Sequence, residues 1–128
     1  MAASAASVLL IWFAVGVFSI FPTVIVSGSM SPAIDIGDIV IVERIHPEKS
    51  MEKVEIGDVI QFRDGGVKVT HRVIDIKEDE RGLPLYITQG DDNPSPDSEP
   101  VEAEQFVGKV KTVVPKVGWA TIWMRSPG

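Results

Sequence analysis

The stretch that decides the fold is VIQFRDGGVKVTHRV, residues 59–73. Two runs rich in Val and Ile flank Asp64, Gly65 and Gly66, and glycine supplies the positive φ angles that a tight hairpin turn requires. β-Branched residues bounded by turn residues are typical of strands. The stretch therefore predicts a β-hairpin, with strands at 59–63 and 67–76.

Short apolar runs of the same kind lie on both sides of this hairpin. They predict further strands at 39–45, 85–88 and 105–114. Residues 91–104 are acidic and rich in proline, which favours a loop. A chain of 128 residues fits one mainly β domain of about 100 residues with a short appendage.

The appendage is the N-terminal segment, because residues 2–26 contain no charged side chain. About 20 consecutive apolar residues suffice to cross the hydrocarbon core of a bilayer. A cleavable secretory signal peptide is the alternative, but such peptides begin with basic residues and end in a small-x-small cleavage site. Neither feature is evident, so we predict a transmembrane anchor helix at 1–26, with Pro22 near its end. The β-rich domain then occupies 27–128.

Charge and cysteine content exclude several classes of function. The net charge of −6 argues against a nucleic-acid partner, because polyphosphates bind clustered Lys and Arg residues. The absence of cysteine excludes disulfides, thiolate metal sites and cysteine catalysis. No Lys or Arg precedes Arg44, so the positive-inside rule says almost nothing about membrane orientation.

Three segments carry residues that suit nucleophilic catalysis. SGSMSP at 27–32 follows the predicted anchor and, alone, could be a linker. His71 shares a strand face with Val69 and Val73, so its side chain should point inward. Most histidines in such positions are core residues, but a partly desolvated imidazole also suits a general base. Carboxylates follow at 90–97. A serine hydroxyl requires a base, and the base requires an orienting carboxylate.

Together these segments resemble the type I signal peptidases, specifically the archaeal and endoplasmic-reticulum (Sec11-like) branch, in which histidine replaces the lysine of bacterial enzymes. Four boxes carry the resemblance: Ser-Gly-Ser-Met-x-Pro at 27–32, Gly-Asp-Ile-Val at 37–40, His-Arg-Val at 71–73 and Gly-Asp-x-Asn at 90–93. Each box is weak alone, but their order behind an apolar segment is a strong signal. The resemblance implies a serine endopeptidase with a β-sheet-rich catalytic domain.

The resemblance also implies roles for individual residues. Ser29 would be the nucleophile. His71 would be the general base, at the position of the base lysine in bacterial relatives, so Lys68 is not the expected base. Asp97 would orient His71, with Asp91 as a supporting carboxylate, although the choice between these two aspartates stays open.

Two further residues follow from the same resemblance. The Ser27 hydroxyl and the Ser29 backbone N–H would form the oxyanion hole. Met30 is expected to line the substrate pocket, because it stands beside the nucleophile.

The implied substrates are the signal peptides of secretory preproteins, and no cofactor is implied. The enzyme would be a membrane protein with a single anchor and its catalytic domain on the extracytoplasmic or lumenal side. The lipid bilayer and the secretion machinery are the expected partners. Near the C-terminus, Trp119, Ile122 and Trp123 would contact lipid headgroups or form a core strand.

Three alternatives remain. A membrane-tethered β module without catalytic activity would use Ser29 as linker and His71 as core, and a self-cleaving or regulatory serine peptidase would share the catalytic residues. A calcium loop is the third, although Pro96 stands where such a loop requires glycine. Its oxygen ligands would be Asp91, Asn93, Ser95, Asp97, Glu99 and Glu102.

His46 is expected at the surface.

Overall fold

A six-stranded antiparallel sheet organises residues 19–117, which are the residues that the computed structural model describes. The strands are β1 (Ile20–Val24), β2 (Ile39–Arg44), β3 (Val59–Asp64), β4 (Val67–Glu78), β5 (Pro84–Gln89) and β6 (Phe106–Val114). Their order across the sheet is β1-β2-β6-β3-β4-β5. A short helix, α1 (Ser50–Lys53), connects β2 to β3, and 3-10 turns occupy Pro47–Lys49 and Ala103–Gln105.

The predicted hairpin is confirmed. Asp64 pairs with Val67 across a two-residue turn. Gly65 and Gly66 have φ angles of 58° and 85°, the left-handed region that glycine adopts without a steric penalty. The other predicted strands are also present, each with ends within about two residues of the prediction.

The predicted C-terminal part of the anchor helix is wrong, because Ile20–Val24 forms strand β1 and pairs with β2. A charge-free run of β-branched residues suits an edge strand as well as a membrane helix, and only the partner strand distinguishes the two. Pro22 fits the edge because it has no N–H to donate. The rest of the predicted anchor, residues 1–18, lies outside the described residues. Within residues 19–117, no helix is both long and apolar enough to span a membrane.

Two apolar clusters fill the domain. One packs side chains of β3, β4, β5 and β6 beneath the segment that contains α1: Ile45, Val54, Ile60, Phe62, Val73, Tyr86, Val101 and Phe106. The other packs β1 and β2 against the segment after β1: Ile25, Met30, Ile34, Val40 and Val42. Gln61 of β3 donates a hydrogen bond to Thr23 of β1 at 3.2 Å, although these strands are not neighbours. The sheet therefore curls over the second cluster and brings β1 towards β3 and β4.

Candidate active site

Ser29 and His71 meet at the end of the curled sheet. Ser29 lies in the turn that follows β1, and His71 lies on β4 with its ring on the inner face, as the strand alternation predicts. The Ser29 Oγ is 3.0 Å from His71 Nε2. His71 is only 8% exposed, so its imidazole is largely shielded from water. A hydroxyl in hydrogen-bond contact with a shielded imidazole can pass its proton to that ring.

The second ring nitrogen of His71 contacts a carboxylate. His71 Nδ1 is 2.6 Å from Asp97 Oδ2, which sets the tautomer with a proton on Nδ1 and a free lone pair on Nε2. Thr88 holds this carboxylate in two ways. Its hydroxyl donates to Asp97 Oδ2 at 2.7 Å, and its carbonyl accepts from the Asp97 N–H at 2.8 Å.

Asp91 has a different partner. The Arg72 guanidinium donates two hydrogen bonds to its carboxylate, at 2.9 and 2.8 Å, and a third to the Gly57 carbonyl at 2.8 Å. This bidentate pair holds the pKa of Asp91 below its usual range and raises the pKa of Arg72. Asp91 therefore supports the strand beside His71, whereas Asp97 contacts the imidazole directly.

Gly90 allows the acidic loop to approach the serine closely. A Cβ at this position would lie 2.6 Å from the Ser29 carbonyl oxygen and 3.1 Å from His71 Nε2. The Asp92 N–H donates to the same Ser29 carbonyl at 2.9 Å, and the Asp91 N–H contacts Met30 Sδ at 3.4 Å. The loop that supplies the carboxylates is thus also fastened to the backbone of the serine segment.

The two predicted oxyanion donors contact each other. The Ser29 N–H donates to Ser27 Oγ at 3.3 Å, and the two hydroxyl oxygens are also 3.3 Å apart. An oxyanion hole requires both donors to point at one external oxygen. The Ser29 N–H must therefore leave Ser27 Oγ, and the exposed Ser27 hydroxyl must rotate, before both can bind one atom.

A cleft of about 400 Å³ opens from Ser29 between β1 and β4. Its walls are mainly aliphatic, and Met30, which is 2% exposed, contributes to the inner wall. The lining residues are Thr23, Val24, Ile25, Val26, Ser27, Ser29, Met30, Val67, Lys68, Val69, Thr70, His71 and Asn93.

One side of this cleft is the outer edge of β1. The Ile25 N–H donates to the Asp38 carbonyl, and the Arg44 N–H donates to the Ser19 carbonyl, so alternate residues of β1 face β2. The intervening residues, such as Val24, direct their backbone groups away from β2. Within residues 19–117, no strand pairs with this outer edge.

The facing side of the cleft is the first half of β4. Asp64 and Val67 close the hairpin, so Val67, Val69 and His71 direct their backbone groups to β3, whereas Lys68 and Thr70 direct theirs outwards. The ladder between β4 and β5 begins only after these residues. Two strand edges therefore flank the cleft, and their outward backbone groups pair with no other strand of the described part of the chain.

Comparison with known proteins places the chain in a family. The sequence profile of the family described as "Signal peptidase, peptidase S26" matches residues 1–80. The chain belongs to this family. Signal peptidase I W of Bacillus subtilis is 41% identical over 81 residues, which cover 62% of this chain and 40% of that protein.

Two Sec11 proteins are also similar to this chain. The signal peptidase complex catalytic subunit SEC11 of Zygosaccharomyces rouxii is 30% identical over 112 residues, covering 79% of this chain and 64% of that subunit. The corresponding subunit of Dictyostelium discoideum is 31% identical over 133 residues, covering 94% and 72%. The resemblance to the Sec11-like branch is therefore confirmed. The chain spans 40% and 64% of the lengths of the first two relatives.

Within this signal-peptidase domain, the structure gathers most of the residues singled out in the sequence. Ser29, His71 and Asp97 form one chain of contacts, with Ser27 beside the serine and Met30 beneath it. Two carboxylates of the calcium alternative are engaged elsewhere, Asp97 with His71 and Asp91 with Arg72. Among residues 19–117, no group of three or more His, Asp or Glu side chains is placed to hold a metal ion.

Predictions outside the active site have mixed outcomes. His46 is exposed, as expected. Trp119, Ile122 and Trp123 lie outside the described residues, so neither interpretation of them is tested.

Sequence reasoning missed two residues of this candidate site. The sequence marks Thr88 only as the end of a strand. The usable signal is that Thr88 shares a strand face with Tyr86, and a hydroxyl on an inward face requires a hydrogen-bond partner. The residue types of the His-Arg-Val box assign no role to Arg72. Its position beside His71 on a strand places its side chain on the opposite face, where it meets Asp91.

Proposed function

We propose that this chain is a membrane-bound serine endopeptidase that removes signal peptides from secretory preproteins, with Ser29 as nucleophile and His71 as general base. The observation that carries the proposal is the continuous series of contacts from Ser29 Oγ through both ring nitrogens of His71 to Asp97, in a member of the signal peptidase family.

In the proposed reaction, Ser29 Oγ attacks the carbonyl carbon of the scissile bond while His71 Nε2 takes the hydroxyl proton. The Asp97 carboxylate, which the Thr88 hydroxyl holds in place, stabilises the imidazolium. His71 then returns the proton to the leaving amine, and an acyl-enzyme on Ser29 remains. Water, activated by the same nitrogen, attacks the acyl-enzyme and releases the second product.

The substrate would bind as an extended strand between β1 and β4. The outward backbone groups of Val24, Lys68 and Thr70 offer hydrogen bonds to an inserted peptide, as in other strand-addition complexes. The branched side chains of Val26 and Val69 line the aliphatic cleft, whose apolar walls suit small apolar residues before the cleaved bond. Signal peptides end in such a small-x-small pattern.

A membrane location suits this substrate. Residues 2–18 contain no charged side chain, and they lead into β1, whose edge borders the cleft. A tether would hold the domain where signal peptides leave the bilayer and would raise the effective concentration of enzyme there. The proposed orientation puts the domain on the extracytoplasmic or lumenal side, in contact with the secretion machinery.

The test is cleavage of a full-length preprotein in detergent or liposomes. Ser29→Ala and His71→Ala should lose cleavage to background, by about 10³-fold or more. Ser95→Ala and His46→Ala are matched controls, because both residues are exposed and lie outside the proposed machinery. A serine-directed acylating probe should label the wild type and the controls at Ser29, as shown by mass spectrometry of the labelled peptide.

The proposal fails if Ser29→Ala, folded by circular dichroism, cuts as fast as the wild type. Labelling without preprotein cleavage would instead favour the regulatory serine peptidase. Absence of both activities in a folded protein would favour the non-catalytic binding module.

A further inference from the structure

Basic side chains gather around the point where β1 begins. The guanidinium of Arg44 and the ammonium of Lys68 each lie 4.9 Å from the ring centroid of Phe21, on β1. Arg63 and Arg44 line, together with Ser19, a surface cavity of about 300 Å³. Three cationic groups therefore surround residues 19–21.

Three lysines lie nearby: Lys53 at the end of α1, and Lys109 and Lys111 on β6. Glu43 pairs with Ile20 in the register of β1 and β2, and its two carboxylate oxygens lie 3.6 Å from Lys53 Nζ and 3.4 Å from Lys111 Nζ. Lys109 Nζ donates to the Lys53 carbonyl at 3.1 Å. The three lysines, Glu43 and Ile45 line a cavity of about 290 Å³. We name all six residues the basic collar: Arg44, Lys53, Arg63, Lys68, Lys109 and Lys111.

The basic collar contrasts with the charge of the whole chain. The chain has 12 Lys and Arg residues against 18 Asp and Glu, and half of its basic residues lie in the collar. They come from α1 and from four different strands, so the fold creates a cluster that is not visible along the sequence. Glu43 and Asp58 contact its lysines but do not balance its six charges.

The collar keeps hydrogen-bond donors for a ligand. The contacts of Lys53 and Lys111 with Glu43 are longer than the ~2.7–2.9 Å of a charge-assisted hydrogen bond. Both side chains are about half exposed, at 53% and 50%. Each ammonium has three donors, so both lysines can bind another anionic oxygen without losing contact with Glu43.

We infer that the basic collar binds the phosphate groups of anionic phospholipids and seats the catalytic domain on the bilayer surface. The inference rests on the membrane tether of the proposed function, because the charge-free residues 1–18 join the domain at Ser19, inside the collar. Basic residues next to a membrane segment are attracted to anionic headgroups. Phe21, held between two cations, suits the headgroup level, where aromatic rings accumulate.

The consequence for function is orientation. Since β1 both begins in the collar and borders the cleft, phosphate binding at its start would fix the angle at which the cleft faces the bilayer. Lipid composition would then control how well the cleft receives a substrate that emerges from the membrane.

The test uses full-length protein in proteoliposomes. The chain has no cysteine, so Thr112→Cys, an exposed position beside Lys111, gives a single site for a donor dye. Energy transfer to headgroup-labelled lipid then reports the ratio of docked to undocked domains. Vesicles of phosphatidylcholine alone are compared with vesicles that also contain phosphatidylglycerol.

Lys53→Gln with Lys111→Gln should lower the docked-to-undocked ratio on phosphatidylglycerol vesicles by about 30-fold, roughly fivefold for each lysine. Lys77→Gln with Lys116→Gln removes the same charge from exposed positions elsewhere and should change the ratio little. Lys53→Arg with Lys111→Arg should preserve docking. High salt should release the wild type, because it screens exposed charges.

Equal energy transfer on both vesicle types overturns the inference. An equal loss of docking in the collar double variant and the control double variant overturns it as well. So does a chain that fails to float with the vesicles. Cleavage of a soluble peptide in detergent is measured on the same preparations. A protein that cleaves but does not dock refutes the collar alone, and one that docks but does not cleave refutes the proposed peptidase alone.

Discussion

Replacing Gly90 by alanine tests whether the acidic loop sets the position of Ser29, the proposed nucleophile. The φ angle of Gly90 is not positive, so alanine brings no backbone strain and the effect is steric. Its Cβ would lie 2.6 Å from the Ser29 carbonyl oxygen, whereas ordinary contact begins at 3.4 Å, so that oxygen must move by about 0.8 Å. A misplacement of about 1 Å at a reacting group costs on the order of 10²-fold in rate. We expect kcat/KM to fall about 50-fold, or roughly 2.3 kcal/mol.

The matched control is Gly108→Ala. Its Cβ would lie 2.2 Å from the Glu43 carbonyl, an even closer backbone clash, but on β6 and away from Ser29. Overpacking of either kind should lower the free energy of unfolding by about 1–3 kcal/mol. Only Gly90→Ala should lower kcat/KM per folded molecule, measured with a fluorogenic peptide in detergent after active-site titration. If Gly90→Ala retains wild-type kcat/KM, or if Gly108→Ala loses as much, the loop does not position Ser29.

Three further substitutions probe the network around the site. Thr88→Val keeps the shape of a buried side chain but removes the hydroxyl that donates to Asp97, so kcat should fall about tenfold. Thr88→Ser keeps the hydroxyl and should retain activity. An unchanged kcat in the valine variant would contradict the positioning role of Thr88. Asp91→Asn should lower the free energy of unfolding at neutral pH. Arg72 holds the pKa of Asp91 in the folded protein below the value in the unfolded chain. The stabilisation by the Arg72–Asp91 ion pair is therefore complete above about pH 4 and is lost as the pH falls through the pKa of Asp91 in the folded protein. Urea unfolding at neutral and acidic pH should therefore show the gap between wild type and variant closing in acid, and a constant gap would refute the ion pair. Tyr86→Phe removes a buried hydrogen bond to the first residue of α1 and should cost about 1 kcal/mol of stability with kcat unchanged; a loss of kcat without a loss of stability would contradict this structural role.

The strands were predictable because their signals are local. Alternating β-branched residues and the Asp64-Gly65-Gly66 turn determine the backbone conformation within a few positions of themselves. The structure has the strands and the turn where these residues predict them. The status of residues 20–24 was not predictable in the same way. An apolar segment without charges satisfies both a bilayer and a sheet edge, and the choice depends on β2, which lies about 20 residues further along the chain.

The residues of the candidate site show the same difference between local signals and signals that depend on distant parts of the chain. Ser29 and His71 could be chosen from boxes whose residue types limit the chemistry. The choice between Asp91 and Asp97 depends on how a proline-rich loop folds back, and the sequence left it open. The structure turns the loop so that the Asp97 N–H bonds to the Thr88 carbonyl, which carries the carboxylate to His71 Nδ1.

The acidic loop also explains part of the chain's negative charge. Two of the loop's carboxylates accept from His71 and Arg72 on opposite faces of β4. The backbone of the same loop binds the Ser29 carbonyl. One loop thus holds the serine segment and the histidine strand in a fixed relation, although Ser29 and His71 are 42 residues apart in the sequence. Changes in this loop should therefore act on kcat, because they alter the geometry of the proposed reacting groups. Changes at the outer edge of β1 should act on KM, because they alter only the strand that is proposed to receive the substrate.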